Sequence, residues 1–526
     1  MPLALTFPAE RVAPPKDLEI RPKQVKAWIE ALPLAQSLDA SRKLCAHLAG
    51  LNRAKLDVDT RLQILEVYRP IAAVALEELD AIYSKSTLPL GPRAREALIL
   101  ARDLSAELAT GFKIALVERG GKLLGFGSKK QLPILIARAM EYLATGLRAS
   151  YKSYTPIPSG VWRDLNQLYL HAEQEGVAKE IVDAETKSTV FDIYCEALLL
   201  SLTDPYRLVQ GETDKILAQA RAYRGSVTLG RERPATRAGG HFIVPCDTDK
   251  PPKPALSAND DAGGPNWRLL DANPIVDKLR AKKQAAETGN VSATMSKAMG
   301  PDGLAFLSRL ITLWGDPPMR AQKRNATQST VAICVGLKAV GHFVSFEPKV
   351  DPHAEAEALR KGITMPLMAL PTDDASQPIP VFEWDVVNES TGGLKVRRMG
   401  ATQQPIGVGE VVGVKLMNRS RWTIGVARWI TMFDEGGMEF GIQFLGTMAR
   451  PVWVQPTITS APQAKLGLWL AFGDQSDEPD SLLTPPNTFS DLREFEIDHE
   501  GNVASVRATS LIEKTGRFEL FHVSPS

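Results

Sequence analysis

The sequence is poor in the residues that build metal sites and disulfide frameworks. Its 526 residues include four cysteines, which are scattered along the chain without any CxxC spacing: Cys45, Cys195, Cys246 and Cys334. Such isolated thiols argue against a structural zinc site and against disulfide bridges. They fit best with reduced cysteines in a cytoplasmic protein.

The sequence also lacks long apolar runs and an excess of charge of one sign. No stretch approaches the roughly 18 uninterrupted apolar residues that indicate a membrane-spanning helix. Residues 1–8 carry neither the basic nor the apolar region of a signal peptide. The 62 Lys and Arg residues balance 61 Asp and Glu residues, which argues against a protein that coats nucleic acid or anionic membranes. We therefore expect a cytoplasmic protein with no membrane span and no nucleic-acid partner.

Sequence patterns of common catalytic sites are absent as well. The chain contains neither a GxxxxGK[ST] phosphate loop nor a GxSxG nucleophile elbow. His353, Glu355 and Glu357 form the one local cluster of histidine and carboxylates, and their spacing is typical of a solvated helix face rather than of a metal site. These absences predict a protein that is not an enzyme and that uses no metal or cofactor.

Residues 20–225 show the hydrophobic period of helices. In 92–117, for example, apolar residues recur at steps of three and four behind a proline that suits the first turn of a helix. Trp162, Leu165 and Tyr169 resemble the opening of a tetratricopeptide repeat. No second copy follows at a fixed period, so we interpret them as an apolar stripe in a helical core. We predict an all-α domain that offers a docking surface for a protein partner.

The rest of the chain is predicted to change from helix to strand. Residues 226–317 are rich in Gly and Pro and are predicted as a linker and helical connector. From 318 to 455 the period drops to two, and six candidate strands predict a small antiparallel barrel: 329–337, 380–388, 394–399, 410–417, 422–430 and 438–445. Residues 456–526 are predicted as a β-rich C-terminal appendage. The expected fold class is α+β multidomain.

Two motifs in the barrel region carry ligand chemistry. Arg320 and Arg324 form an RxxxR pair ahead of the first predicted strand, and Asn388, Ser390 and Gly393 form an NxSxxG turn between the second and third. Arginine binds phosphate through two parallel hydrogen bonds, and it also stacks on or pairs with guanine. The turn adds amide, hydroxyl and backbone groups. Together the motifs suit a compact ligand with two phosphates and purine edges.

This order of motifs resembles the PilZ family of bacterial cyclic di-GMP receptors, over about residues 318–447. The closing strand, Gly441-Ile442-Gln443-Phe444-Leu445, fits the family as well. The resemblance implies a PilZ-like β-barrel whose two arginines grip phosphate and guanine of cyclic di-GMP, while the Asn and Ser of the turn cap its other face. One departure is the long interval between Arg324 and Asn388, which contains an insertion at 341–378.

The resemblance implies a cytoplasmic bacterial second-messenger receptor that binds cyclic di-GMP and relays it to a protein partner. One alternative is a degenerate PilZ adaptor in motility or secretion machinery that binds no nucleotide. A third interpretation is a barrel that binds single-stranded RNA, because small barrels with basic and aromatic faces do so. Lys395 and Arg397 are interpreted as the polar side of barrel strands, and Trp422 and Trp429 as residues of the barrel core.

Overall fold

The computed structural model divides the chain into two compact units. One contains Met1–Ser86 and Leu90–Met319, and we call it the helical unit. The other contains Thr87–Pro89 and Arg320–Ser526, and we call it the barrel unit. The residues that the structure describes are 3–8, 11–33, 37–120, 128–232, 239–255, 263–288, 303–317, 325–345, 379–400, 404–416, 421–446, 448–458, 464–471 and 479–526.

The first part of the helical unit is all α-helical, which confirms the fold predicted for it. Asp57 begins the third helix by accepting a hydrogen bond from Thr60 N at 2.9 Å, and Thr189 and Asp192 form a reciprocal capping box at the seventh. The described helices of this part are α1 (Pro22–Glu30), α2 (Ser37–Arg53), α3 (Val58–Tyr83), α4 (Pro92–Gly120), α5 (Ser128–Lys152), α6 (Val161–Gln174), α7 (Val190–Ser201) and α8 (Glu212–Tyr223).

The core of the helical unit is built from the apolar stripes of these helices. Trp162, Leu165 and Tyr169 are all buried in it, as their helical spacing predicts. One ion pair is buried alongside: Lys113 Nζ lies 2.6 Å from Asp164 Oδ2 and joins α4 to α6. Because isolated buried charges are costly, the pair is completed by further hydrogen bonds to the backbone of Thr6.

A small antiparallel sheet and two more helices complete the helical unit. The sheet has the strand order β1-β4-β2-β3, and Arg268 in β4 fixes it to α6 through a 3.1 Å hydrogen bond from Nε to Glu173 Oε1. Trp314 Nε1 donates to Leu199 O at 3.0 Å. Residues expected as a linker and connector thus carry β1 (Thr228–Gly230), β2 (His241–Val244), β3 (Lys253–Pro254), β4 (Arg268–Asp271), α9 (Asn273–Glu287) and α10 (Gly303–Gly315).

The barrel unit begins with a closed six-stranded antiparallel barrel, as the period of two predicted. Its strand order is β10-β7-β6-β5-β8-β9. Trp384 and Phe440 meet edge to face inside it, with ring centroids 4.8 Å apart. The strands are β5 (Asn325–Val335), β6 (Phe382–Ser390), β7 (Gly393–Met399), β8 (Val411–Leu416), β9 (Trp422–Met432) and β10 (Gly437–Gly446).

The C-terminal appendage is a second closed barrel, with the strand order β11-β12-β13-β16-β15-β14. This confirms the predicted β-rich appendage and gives it a definite topology. Its strands are β11 (Ala449–Pro456), β12 (Lys465–Leu470), β13 (Ser481–Thr484), β14 (Glu494–His499), β15 (Asn502–Lys514) and β16 (Glu519–Pro525).

A short helix, α11 (Leu337–Ser345), joins the two barrels through a shared apolar core. It follows β5 and packs against strands of both barrels. Phe343 stacks on Trp422 with ring centroids 5.0 Å apart, and Val340 is completely buried. From the second barrel, Leu468 and Phe518 enter the same cluster. The first part of the predicted insertion is therefore an element of the barrel core, while 346–378 lies outside the described residues.

Candidate functional site

The NxSxxG motif occupies the turn between β6 and β7. Asn388 and Ser390 lie near the end of β6, and Gly393 begins β7 directly opposite Ser390. Ser390 Oγ donates a 3.3 Å hydrogen bond to Gly393 O across the turn. Arg320 and Arg324 lie outside the described residues, and the described part of the candidate site consists of the turn and the strands beside it.

A β-bulge directs the side chain of Asn388 to the outside of the barrel. Val386 faces the interior and pairs with Val396, but the register then shifts so that Asn388 pairs with Lys395. In a regular strand, positions 386 and 388 would share a face, and the extra residue Val387 reverses this. Asn388 Oδ1 is buried, and it has no hydrogen-bond partner among the described residues. The bulge thus holds an unsatisfied acceptor beside the turn.

Four residues follow one another across the outer surface of β6, β7, β10 and β9. Asn388 pairs with Lys395, Lys395 with Gly441, and Gly441 with Trp429. We call these four residues the outer row. Lys395 Nζ lies 5.7 Å from the centroid of the Trp429 ring, within the range of a cation–π contact. The indole lies over Gly441, where a Cβ would come within 1.9 Å of Trp429 Nε1.

The placement of Trp429 differs from the core position expected for it. Trp422 and Trp429 are an odd number of residues apart, so a regular strand would place them on opposite faces. The register between β9 and β10 shifts between Gly441 and Ile442, which leaves Arg428 as an extra residue on β9. Both indoles consequently lie outside the first barrel: Trp422 is covered by α11, whereas Trp429 is partly exposed.

The carboxylate of Glu439 holds the charged side chains of Lys395 and Arg397 in place beside the outer row. Glu439 on β10 is 6% exposed, and its Oε2 lies 2.7 Å from Lys395 Nζ. Its Oε1 accepts a 2.5 Å hydrogen bond from Arg397 Nε. Lys395 and Arg397 therefore lie on the polar side of β7, as interpreted from the sequence. The result is a surface in which a fixed ammonium, a fixed guanidinium and an indole face lie together.

The glycine of the motif is required by strand packing. A Cβ at Gly393 would lie 2.0 Å from the backbone oxygen of Ile442, far inside van der Waals contact. Because that oxygen belongs to the neighbouring strand β10, it cannot move away as a flexible side chain would. Gly393 thus allows β7 to approach β10 closely and fixes the position of the turn.

Other candidate chemistry is weak in the part of the chain that the structure describes. No three His, Cys, Asp or Glu side chains come together there as metal ligands would. Burial raises the pKa of the Cys45 and Cys334 thiols to about 12 and that of Cys246 to about 11, so these thiols are neutral at physiological pH and poor nucleophiles. None of the described helices is both long and apolar enough to cross a membrane.

Comparison with known protein families accounts for almost the whole length of the chain. The cyclic-di-GMP receptor FimW N-terminal domain matches residues 23–234, and its middle PilZ domain matches 241–365 and 368–451. The FimW C-terminal beta-barrel domain matches 454–526. The chain belongs to the PilZ-domain family of cyclic di-GMP receptors. This confirms the resemblance inferred from the two motifs, in a family of binding proteins rather than enzymes.

One relative in this PilZ-domain family is the cyclic-di-GMP receptor FimW of Pseudomonas aeruginosa. The two sequences are 25% identical over 555 aligned positions, which include 95% of this chain and 90% of the relative. The comparison with solved structures gives no match. The whole domain arrangement, rather than the barrel alone, is therefore shared with that receptor.

The sequence did not predict that Asn388 and Trp429 lie on the same outer surface of the barrel, with Lys395 and Gly441 between them. The available signal was a glycine at 441 opposite a tryptophan, since a large ring over a strand needs a residue without a side chain beneath it. That signal becomes readable once the register of β9 and β10 is known.

Proposed function

We propose that this protein is a receptor that binds cyclic di-GMP on the outer row of its first barrel. In this proposal Arg320 and Arg324 approach the same surface from the segment that precedes β5, and Asn388, Ser390 and Gly393 form the turn at its edge. The observation that carries the proposal is the outer row itself, in which an unsatisfied acceptor, an ammonium and an indole face lie side by side. The membership of the PilZ-domain family supports it.

The chemistry of the ligand matches these groups one by one. A guanine edge presents N–H donors, which suit the acceptor Asn388 Oδ1, and O6 and N7 acceptors, which suit an arginine fork. The flat base suits the face of Trp429, because bases stack on aromatic side chains. The two phosphates of the ligand suit Lys395 and the paired arginines. A ligand without guanine, or with one guanine in place of two, satisfies fewer of them.

The proposed output is a change in binding to a protein partner. We infer that the helical unit supplies the docking surface and that the protein catalyses no reaction. We also infer a cytoplasmic location, where a second messenger is made and read. The name of the FimW relative, a cyclic-di-GMP receptor, supports a role in signalling.

Isothermal titration of the full-length protein with cyclic di-GMP, cyclic di-AMP and GTP tests the proposal. We expect saturable heat and an increase in melting temperature with cyclic di-GMP, and much weaker effects with the other two nucleotides. Absence of both effects at millimolar cyclic di-GMP would instead favour the adaptor without nucleotide. Equal binding of all three, with steep salt dependence, would indicate a nonspecific phosphate surface.

A further inference from the structure

The helical unit contains a cleft lined by arginines that is separate from the outer row. It lies among α3, α5, α7 and α8 and has a volume of about 570 Å³, which is within the usual range of small-molecule sites. We call it the arginine cleft and define it by six of its lining residues: Arg69, Glu141, Arg148, Glu196, Arg221 and Arg224. With Asp183, which also lines it, the cleft holds four cations and three carboxylates and keeps a net positive charge.

Most charges in the cleft already have partners. Arg221 Nε and Arg224 Nη1 donate to the two oxygens of Glu196, at 3.0 and 3.1 Å. Glu141 Oε2 lies 2.9 Å from a guanidinium nitrogen of Arg138. Arg69 Nη1 likewise reaches Glu66 at 2.9 Å. The remaining carboxylate of the lining, Asp183, accepts hydrogen bonds from Glu185 N, Thr186 N and Thr186 Oγ1.

Arg148 is the exception. Its Nη2 donates a 2.8 Å hydrogen bond to Thr145 Oγ1, and among the described residues the carboxylates that act on it, Glu196 and Asp80, form their ion pairs with other cations. Burial, and then the charge of Arg221, lower the pKa of this guanidinium, while the charges of Glu196 and Asp80 act in the opposite direction. A guanidinium keeps its charge in proteins, so this positive charge is retained at a position that disfavours it.

We propose that the arginine cleft binds a small molecule that carries a phosphate or carboxylate group, with Arg148 as the counter-charge in the cleft and Arg221 at its rim. An oxyanion at Arg148 would accept charge-assisted hydrogen bonds in addition to the one that Thr145 Oγ1 now accepts. The apolar part of the lining, which includes Ala73, Leu76 and Leu200, suits a compact apolar body on the same ligand.

Thermal unfolding of the full-length protein, followed by far-ultraviolet circular dichroism, tests this site. The probes are inorganic phosphate and citrate, each compared with sodium chloride at equal ionic strength. We expect at least one of them to raise the melting temperature of the helices by about 3 °C or more at saturation. A response to phosphate alone assigns a phosphate ligand, and a response to citrate alone assigns a carboxylate. A response to neither overturns the proposal.

The variant Arg148→Met distinguishes a binding residue from a structural one. We expect it to abolish the response to the probe and, without any probe, to melt at the same temperature as the wild type or higher, because it removes a buried charge that forms no ion pair within 4 Å among the described residues. Arg280→Met, on the exposed face of α9, is the matched control and should respond like the wild type. An undiminished response in Arg148→Met overturns the proposal. If Arg148→Met does not fold, Arg221→Met decides, and an unchanged response in that variant overturns it equally.

Discussion

Arg428 on β9 of the first barrel and Glu513 on β15 of the second barrel form a two-pronged ion pair. Arg428 Nη2 lies 2.7 Å from Glu513 Oε2, and Nη1 contacts the other carboxylate oxygen. Arg428 Nε also donates to Gln443 Oε1 at 2.8 Å. Because Arg428 directly precedes Trp429, the strand that carries the indole of the outer row is fixed to the second barrel.

We expect this ion pair to couple the stabilities of the two barrels. A double-mutant cycle with Arg428→Met and Glu513→Gln should give a coupling free energy of roughly 0.5–1 kcal/mol, since the pair is bidentate but partly exposed. Chemical denaturation provides the measurement. The more exposed pair between Arg507 and Glu494, within the second barrel, is the control. A coupling no larger than that of the control would show that the pair does not tie the barrels together.

Removing an arginine of the RxxxR motif should weaken cyclic di-GMP binding without unfolding the protein. Arg324→Ala removes charge-assisted hydrogen bonds worth roughly 1.5–3 kcal/mol, so affinity should fall about tenfold or more. Arg324→Lys should not restore it, because an ammonium has neither the fork nor the flat face of a guanidinium. Calorimetric titration measures both, and Arg450→Ala, at an exposed position of β11, is the control. Wild-type affinity in both Arg324→Ala and Arg320→Ala would place the ligand elsewhere.

Replacing Trp429 should remove a stacking surface. Base stacking on an aromatic side chain contributes about 1–3 kcal/mol, so Trp429→Ala should weaken cyclic di-GMP binding by roughly fivefold to a hundredfold. Trp453→Ala is a matched control, since that indole is 54% exposed on β11 of the second barrel. If the two variants lose affinity equally, Trp429 has no specific part in the site.

The glycine at the start of β7 should be essential for stability even without ligand. Gly393→Ala forces a Cβ against the backbone oxygen of Ile442, and we expect a loss of about 1–3 kcal/mol in the free energy of unfolding. Gly446→Ala on β10 is the control, because nothing lies within 4 Å of its added Cβ, and its effect should stay below about 0.5 kcal/mol. Equal stability of the two variants would contradict the packing explanation.

His47 should make the helical unit less stable in mild acid. Its Nδ1 lies 2.6 Å from Tyr68 Oη, its ring stacks on Trp28, and burial lowers its pKa. The unfolded chain, with an ordinary histidine pKa of about 6.5, then binds more protons than the folded one as the pH falls below that value. Stability is therefore retained above about pH 6.5 and decreases below it. Denaturation curves of wild type and His47→Gln across this range should show a weaker pH dependence in the variant, and equal slopes would rule His47 out as the cause.

The sequence predicted the strands of the first barrel well, because one face of each strand is buried. The six strands of the first barrel were located within a few residues, because alternation records which side chains face the core. The short helix α11 was missed, and the first predicted strand was carried on into its start. Its apolar face is specified by the second barrel, far away in sequence. The strands β1 to β4 are only two to four residues long and lie among Gly and Pro residues. Their sequences are therefore too short to show the alternation that predicts a strand.

The NxSxxG turn could be located from sequence, but the surface around it could not. The two bulges that turn Asn388 and Trp429 outward depend on how β6 pairs with β7 and β9 with β10. A bulge is defined by how two strands pair, so the sequence of one strand alone does not predict it. The roles of Arg320 and Arg324 remain a prediction from the motif.

The position of α11 has a consequence for how the chain is made. A ribosome delivers the first barrel and α11 before residues 449–526 exist, and those later residues supply the apolar partners Leu468 and Phe518. At about 5–20 residues per second, the uncovered face of α11 waits roughly 4–16 s for them. During that interval a nascent chain presents to chaperones and to neighbouring chains the face of α11 around Gly341, which in the folded protein lies against Leu466 of the second barrel. We therefore expect slower translation through the last strands to increase the fraction of molecules that aggregate before folding is complete.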